Sequence, residues 1–100
     1  MIESRHANSS LALEASDVSG QRRFRATRVQ ADASVGELVS ELVERMDLPR
    51  GSERGQAYTY SARLEREGRH LLPGERVGEA LLEGDLVVLQ PDVDAGGGAR

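Results

Sequence analysis

The sequence predicts an α+β fold, a mixed sheet of four to five strands wrapped on one helix. Three observations carry that prediction. A capped amphipathic helix lies near the middle of the chain. Segments of alternating apolar and polar residues flank it on both sides. Near the end, Leu86, Val87, Val88 and Leu89 form an unbroken apolar run, the pattern of a strand that is covered and central.

In chain order, residues 1–8 are polar and irregular and are expected to be a flexible N-terminus. From Ser9 onward, Leu11, Leu13 and Ala15 alternate with Ala12 and Glu14, as in a half-buried strand. Asp17, Ser19 and Gly20 supply turn chemistry, with Gly20 free to take positive φ. Residues 21–30 then form the return strand of a hairpin. Its phase slips: Phe24 and Ala26 favour one face, Thr27 and Val29 the other, and a β-bulge near Arg25 and Ala26 reconciles them. The helix starts at Ser34. Its hydroxyl and Glu37, three residues on, have the spacing of a capping box. Val35, Leu38, Val39, Leu42, Val43 and Met46 make one wide apolar stripe opposite Glu37, Glu41 and Glu44. Pro49 predicts a stop at about Leu48. Residues 50–55 are a loop. Residues 58–67 read as a third strand with Tyr58, Tyr60, Ala62 and Leu64 in phase. A turn at Gly68, a short strand at residues 70–72, a short helical turn carrying Val77 and Leu81, and a turn at Gly84 and Asp85 lead to the final strand. Pro91 is expected to end it. One domain, residues 9–91, is followed by a tail, residues 92–100, with little to bury.

Composition narrows the chemistry. The 100 residues include one Phe, two Tyr and no Trp, so the core must be built from Leu, Val, Ala and Met. Cys is absent, which removes disulfides, thiolate catalysis and thiolate zinc sites, and means no side chain of this protein can carry a thioester. All 13 basic residues are Arg; without Lys there is no Schiff-base lysine and no lysine acceptor for modification. The net charge of −4 argues against general affinity for nucleic acid or anionic membranes. No apolar run could cross a bilayer and the first residues do not form a signal peptide, so a cytoplasmic location is expected, with no membrane partner. His6 and His70 lack companions at ligand spacing, no serine sits in a nucleophile elbow, and Glu41 and Glu44 are a solvated helix face. No catalytic residue, metal site or cofactor is expected, and the chain is not read as an enzyme. Arg22, Arg23, Arg25 and Arg28 form a basic stretch, read as a solvated strand face in preference to a nucleic-acid site.

The run of Tyr58, Leu64, Gly68, Leu71, Val77, Leu81, Gly84, Asp85, Leu86, Val88 and Leu89 resembles the C-terminal half of the ubiquitin-like β-grasp family. Over residues 9–91 the element order is similar too. Among its members the chain looks most like bacterial ones, encoded beside E1- and E2-like enzymes or in type VII secretion loci. The resemblance implies that Gly96, Gly97 and Gly98 are a conjugation tail. A JAB-type peptidase would remove the residues beyond Gly97 or Gly98. An E1-like enzyme would activate the exposed carboxylate, and an E2-like enzyme would pass it on to an isopeptide bond. Glycines suit this because no Cβ obstructs a narrow channel. The alternatives are a Gly/Ala terminus with no role, a non-covalent interaction module of the secretion-associated kind, and a sulfur carrier, which Ala99 and Arg100 after the glycines disfavour. The resemblance also places partners on the outer face of the third and last strands. Aligned on the Gly68 turn, that face is expected to hold Arg63, Glu65, Val87 and Leu89. A monomer is expected.

Overall fold

The computed structural model describes residues 10–93. The expected flexible N-terminus lies outside this range, as does the tail from residue 94. Five strands and two helices follow in the order β1 (Ser10–Asp17), β2 (Arg23–Gln30), α1 (Val35–Arg45), β3 (Tyr58–Leu64), β4 (Arg69–Leu71), α2 (Val77–Ala80) and β5 (Leu86–Val93). The strands form one mixed sheet in the spatial order β2-β1-β5-β3-β4. Two antiparallel hairpins, β1–β2 and β3–β4, are joined by β5, which runs parallel to β1 and antiparallel to β3. The apolar run is thus central, as its composition predicts.

One face of this sheet and the stripe of α1 enclose the core. Leu13 and Ala15 from β1, Ala62 and Leu64 from β3, Val87 and Leu89 from β5, and Val35, Leu38 and Leu42 from α1 are all buried together. Neither layer could hide its apolar side alone, so hairpin and helix stabilise each other.

The predicted capping box is present. The Ser34 hydroxyl accepts from the Glu37 amide at 3.1 Å, and the Glu37 carboxylate accepts from the Ser34 amide at 3.1 Å. The other end differs from the expectation. The helix stops at Arg45, not at Leu48, because Asp47 takes the left-handed conformation with φ 55°. The chain reverses there, the Leu48 amide donates back to the Val43 carbonyl, and Leu48 turns into the core. Arg22, from the hairpin turn, donates one guanidinium nitrogen to the carbonyls of Met46 and Asp47 at 3.0 and 2.8 Å. A cation on the last carbonyls suits the helix dipole. Arg22→Ala should therefore cost about 1 kcal/mol in urea unfolding, while Arg23→Ala, a neighbour without such contacts, should be near neutral.

The β-bulge exists two residues later than expected. Leu13 pairs with Ala26 but Leu11 pairs with Val29, so β2 holds one residue extra, and Arg28 absorbs it with φ 61°. This returns Val29 to the core side with Phe24 and Ala26.

Pro91 does not end the last strand, which continues to Val93 opposite Tyr58. The Glu65 amide bonds to the Leu86 carbonyl, so along the antiparallel ladder Arg63, Ser61 and Thr59 also bond towards β5. Pro91, opposite Tyr60, therefore turns its nitrogen towards the β1 side. Pairing with β1 is already over at Asp17 and Leu89, so the missing N–H has no acceptor to disappoint.

The turn before β5 is fastened on both sides. Asp85 is buried and takes a forked contact from Arg66, Nε to Oδ1 at 2.9 Å and Nη2 to Oδ2 at 3.0 Å, and it also accepts from the Leu82 amide. Across the turn, the Gly84 amide donates to the Ala12 carbonyl at 2.7 Å and the Glu14 amide to the Asp85 carbonyl at 2.9 Å.

Candidate functional site

The outer face of the sheet is the first candidate, and the structure corrects half of it. Val87 and Leu89 do not face outward; both are 0% exposed. The reason lies in the register. Leu89 is opposite Ala62 and Val87 opposite Leu64, and residues directly opposite share a face. Since Ala62 and Leu64 are core residues, their partners are as well. The outward positions of β5 are Leu86, Val88 and Gln90, each half-buried. The sequence did not signal them, because four consecutive apolar residues conceal their own alternation. The only readable signal was their pairing with β3, whose phase is clear.

Arg63 and Glu65 do lie on the outer side, and they engage each other. One Arg63 nitrogen contacts both carboxylate oxygens of Glu65, at 2.9 and 3.0 Å. A row of neighbours crosses all five strands on this face: Arg23, Ser16, Val88, Arg63 and His70. Beside it run Arg25, Glu14 and Leu86, with Arg25 and Glu14 paired at 2.9 Å. The face is thus a small apolar centre, Leu86 and Val88, between two internally neutralised ion pairs. Such a surface favours docking by shape and contact over long-range attraction.

The tail is the second candidate. Gly96, Gly97 and Gly98 lie outside the described residues. What is described is the strand before them: β5 runs to Val93, opposite Tyr58.

Among the described residues, α1 is bordered by a groove on its β2 side and by another on its β3 side. One, of about 490 Å³, lies between α1 and the edge strand β2 and is lined by Phe24, Val29, Leu38 and Leu42 together with Arg25, Arg28, Glu37 and Glu41. Of the basic stretch, Arg22 is committed to the helix end and Arg25 to Glu14, which leaves Arg23 and Arg28 exposed on this edge. The other groove, of about 520 Å³, lies between α1 and the start of β3 and includes Val39, Val43, Arg50, Tyr58 and Tyr60. Neither was legible from sequence, since each depends on how α1 sits across the sheet.

No constellation of catalytic type forms among the described residues. His70 is exposed, and no group of three or more His, Asp or Glu could hold a metal. The Tyr60 hydroxyl donates to the Pro49 carbonyl at 2.7 Å, and burial pushes its phenol above the ordinary range. Asp17 is held below the usual carboxylate range: burial acts to raise it, but hydrogen bonds from Ser19 and the amides of Arg22, Gly20 and Gln21 outweigh that. These amides close the hairpin turn, which gives the carboxylate a structural task. No helix among the described residues is long and apolar enough to cross a membrane.

No protein-family model matches the sequence, and no curated protein matches it. Solved structures do match. A structure of Caldiarchaeum subterraneum ubiquitin superposes with a TM-score of 0.63 at 20% identity, covering 85% of this chain and 96% of that one. The fold is the ubiquitin-like β-grasp. A chain from the structure "Molecular Mimicry of SUMO promotes DNA repair" gives a TM-score of 0.57 at 20% identity, over 79% of this β-grasp chain and 88% of its own length. A chain of the toluene 4-monooxygenase HD complex with the inhibitor 4-bromobenzoate gives 0.63 at 12% identity, over 84% and 100%. At these identities the likeness is one of fold, and a β-grasp domain serves many roles.

Proposed function

We propose that the chain is a bacterial, cytoplasmic ubiquitin-like protein modifier, conjugated through a C-terminal glycine. The observation that supports it most directly is the nearness, in sequence, of three glycines to the central strand of a ubiquitin-like fold. The central strand β5 is described as far as Val93, and in the sequence the three glycines Gly96, Gly97 and Gly98 come three residues later. A segment without side chains, close in sequence to a central strand, is what a carboxylate donor needs. A peptidase of the JAB type would cut after Gly97 or Gly98. An E1-like enzyme would adenylate the new carboxylate with ATP, releasing pyrophosphate, and its own thiol would then take the acyl group, releasing AMP. An E2-like thiol would then pass it to a target amine. The chain has no Cys, so both thioesters belong to the partners; it has no Lys, so lysine-linked chains of itself cannot form. Leu86 and Val88, with Arg63 and Glu65 at their flank, are the surface on which those enzymes would dock.

The test is intact mass measurement after incubation with the products of neighbouring genes and ATP. The expected sequence of events is loss of Ala99 and Arg100, with Gly98 as well if the cut follows Gly97, then an ATP-dependent adduct through glycine. A tail that stays whole under every condition would sink the proposal. In that case a non-covalent module is the better reading. One feature favours it specifically: β2 is an edge strand with an apolar groove beside it, and an extended peptide can add to such an edge.

A further inference from the structure

The groove between α1 and β3 has no part in the proposed conjugation chemistry, and three features of it point to an occupant. The first is why it is open. β4 has only three residues and pairs only with Ala62, Arg63 and Leu64, so among the described residues the first half of β3 has no strand on that side. The Tyr58 amide is taken by the Arg50 carbonyl at 3.0 Å, and the chain then bends away through Gly51, which bridges Ala57. Between these points stands Tyr60. By the alternation of the β3–β5 ladder, its N–H and C=O point to this open edge, and among the described residues no backbone group meets them there.

The second feature is the wall. Val39 and Val43 of α1 are only half-buried and face Tyr58 and Tyr60 across the groove. Pro73 closes the end next to the start of α1, where its carbonyl accepts from the Gly36 amide. The third is charge. Arg50 is the one charged residue in the lining, and its guanidinium makes no ion pair or hydrogen bond among the described residues. The helix acids Glu37, Glu41 and Glu44 line the next groove round, away from Arg50. The site therefore carries one cation, and the rest of its lining is mainly apolar, with Ser40, Thr59 and Ser61 its uncharged polar members.

We propose that this groove binds an extended peptide segment of a partner protein, with apolar side chains followed by a carboxylate. The segment adds along the free edge at Tyr60, seats its apolar side chains between Val39, Val43 and Tyr58, and sets Asp or Glu against Arg50. The unmet backbone groups of Tyr60 favour a peptide over an alkyl carboxylate, which could satisfy the charge and the wall but not the edge. The proposal is independent of whether the glycine tail is conjugated.

The test selects phage-displayed random heptapeptides on the full chain, with counter-selection on Arg50→Gln. Arg50 is exposed, so this variant should keep the native amide spectrum. The expected result is enrichment of sequences carrying two apolar residues and an acid. A synthetic copy of the leading peptide should shift the amides of Val39, Val43 and Tyr60, and change tyrosine emission, which is readable because the chain has no Trp and both of its Tyr line this groove. Arg50→Gln should weaken that peptide about tenfold, and Arg23→Gln on the opposite edge should not. No enrichment, enrichment that ignores Arg50, or shifts confined to β2 would each overturn the proposal.

Discussion

Leu89→Ala should destabilise the protein by about 3 to 4 kcal/mol, whereas Val88→Ala, one residue earlier, should cost less than about 1 kcal/mol. Leu89 is 0% exposed and lies opposite Ala62 on one side and Asp17 on the other. Truncation there leaves a cavity in the middle of the sheet, where β1, β5 and β3 meet α1. The neighbours are held by ladders on both sides and cannot collapse into the space. Val88 points the other way, between Ser16 and Arg63, where water reaches part of its surface. Urea unfolding with unchanged slope measures both values. For a domain whose total stability is on the order of 5 to 15 kcal/mol, the first loss is a large share. Equal costs, or the reverse order, would put Leu89 back on the outer face.

That pair of residues also marks where sequence reasoning ran out. Periodicity placed the helix stripe and the phase of β3, and an unbroken apolar run placed β5 at the centre. The helix and β3 each carry a polar reference: Glu37, Glu41 and Glu44 on the helix, and Thr59, Ser61 and Arg63 on β3. Leu86 to Leu89 has no such reference, and a one-residue slip exchanges its faces completely. The helix end was misjudged for a related reason. Pro49 marks a boundary that no helix can pass, but Asp47 had already reversed the chain, and a non-glycine residue in the left-handed region gives little warning. The bulge was inferred from the conflict between Phe24 and Val29, though its position depends on which residue can tolerate positive φ, here Arg28. The candidate sites fared unevenly. The outer position of Arg63 and Glu65 was readable; the grooves beside α1 were not, since they arise from packing between distant segments.

The second large effect is expected at Asp85. Asp85→Ala should cost about 2 to 3 kcal/mol at neutral pH, because it strips the Leu82 amide and the Arg66 guanidinium of their acceptor in a buried turn. Arg66 is 39% exposed on its side chain and can rehydrate, which keeps the loss below that of a fully buried pair. The pH dependence follows from the same contacts. Arg66 first, helped by the Leu82 amide and opposed by burial, holds the Asp85 carboxyl below its ordinary value of 3.8. A depressed folded-state pKa means that the contribution is fully present above the unfolded value. It is lost as pH falls through the lower folded one. Asp85→Asn keeps an acceptor for Leu82 but has no charge to titrate. Its stability should therefore lie below that of the native protein at pH 7 and converge with it towards pH 2. A gap that stays constant across the acid range would show that the ion pair contributes nothing.

The place of β5 between the two hairpins has a kinetic meaning. Each hairpin closes through local contacts and can form early, but neither finds its neighbour in the sheet until β5 joins them. The pairing of Glu14 with Leu86 spans nearly all of the described chain, so the loop entropy of that step must be met before the core contacts reward it. The docking of β5, rather than the helix or the turns, is therefore the step expected to limit folding. Fragments that stop short of Leu86 should collect as two unjoined hairpins with one face of each bare, the form of this chain most prone to aggregate.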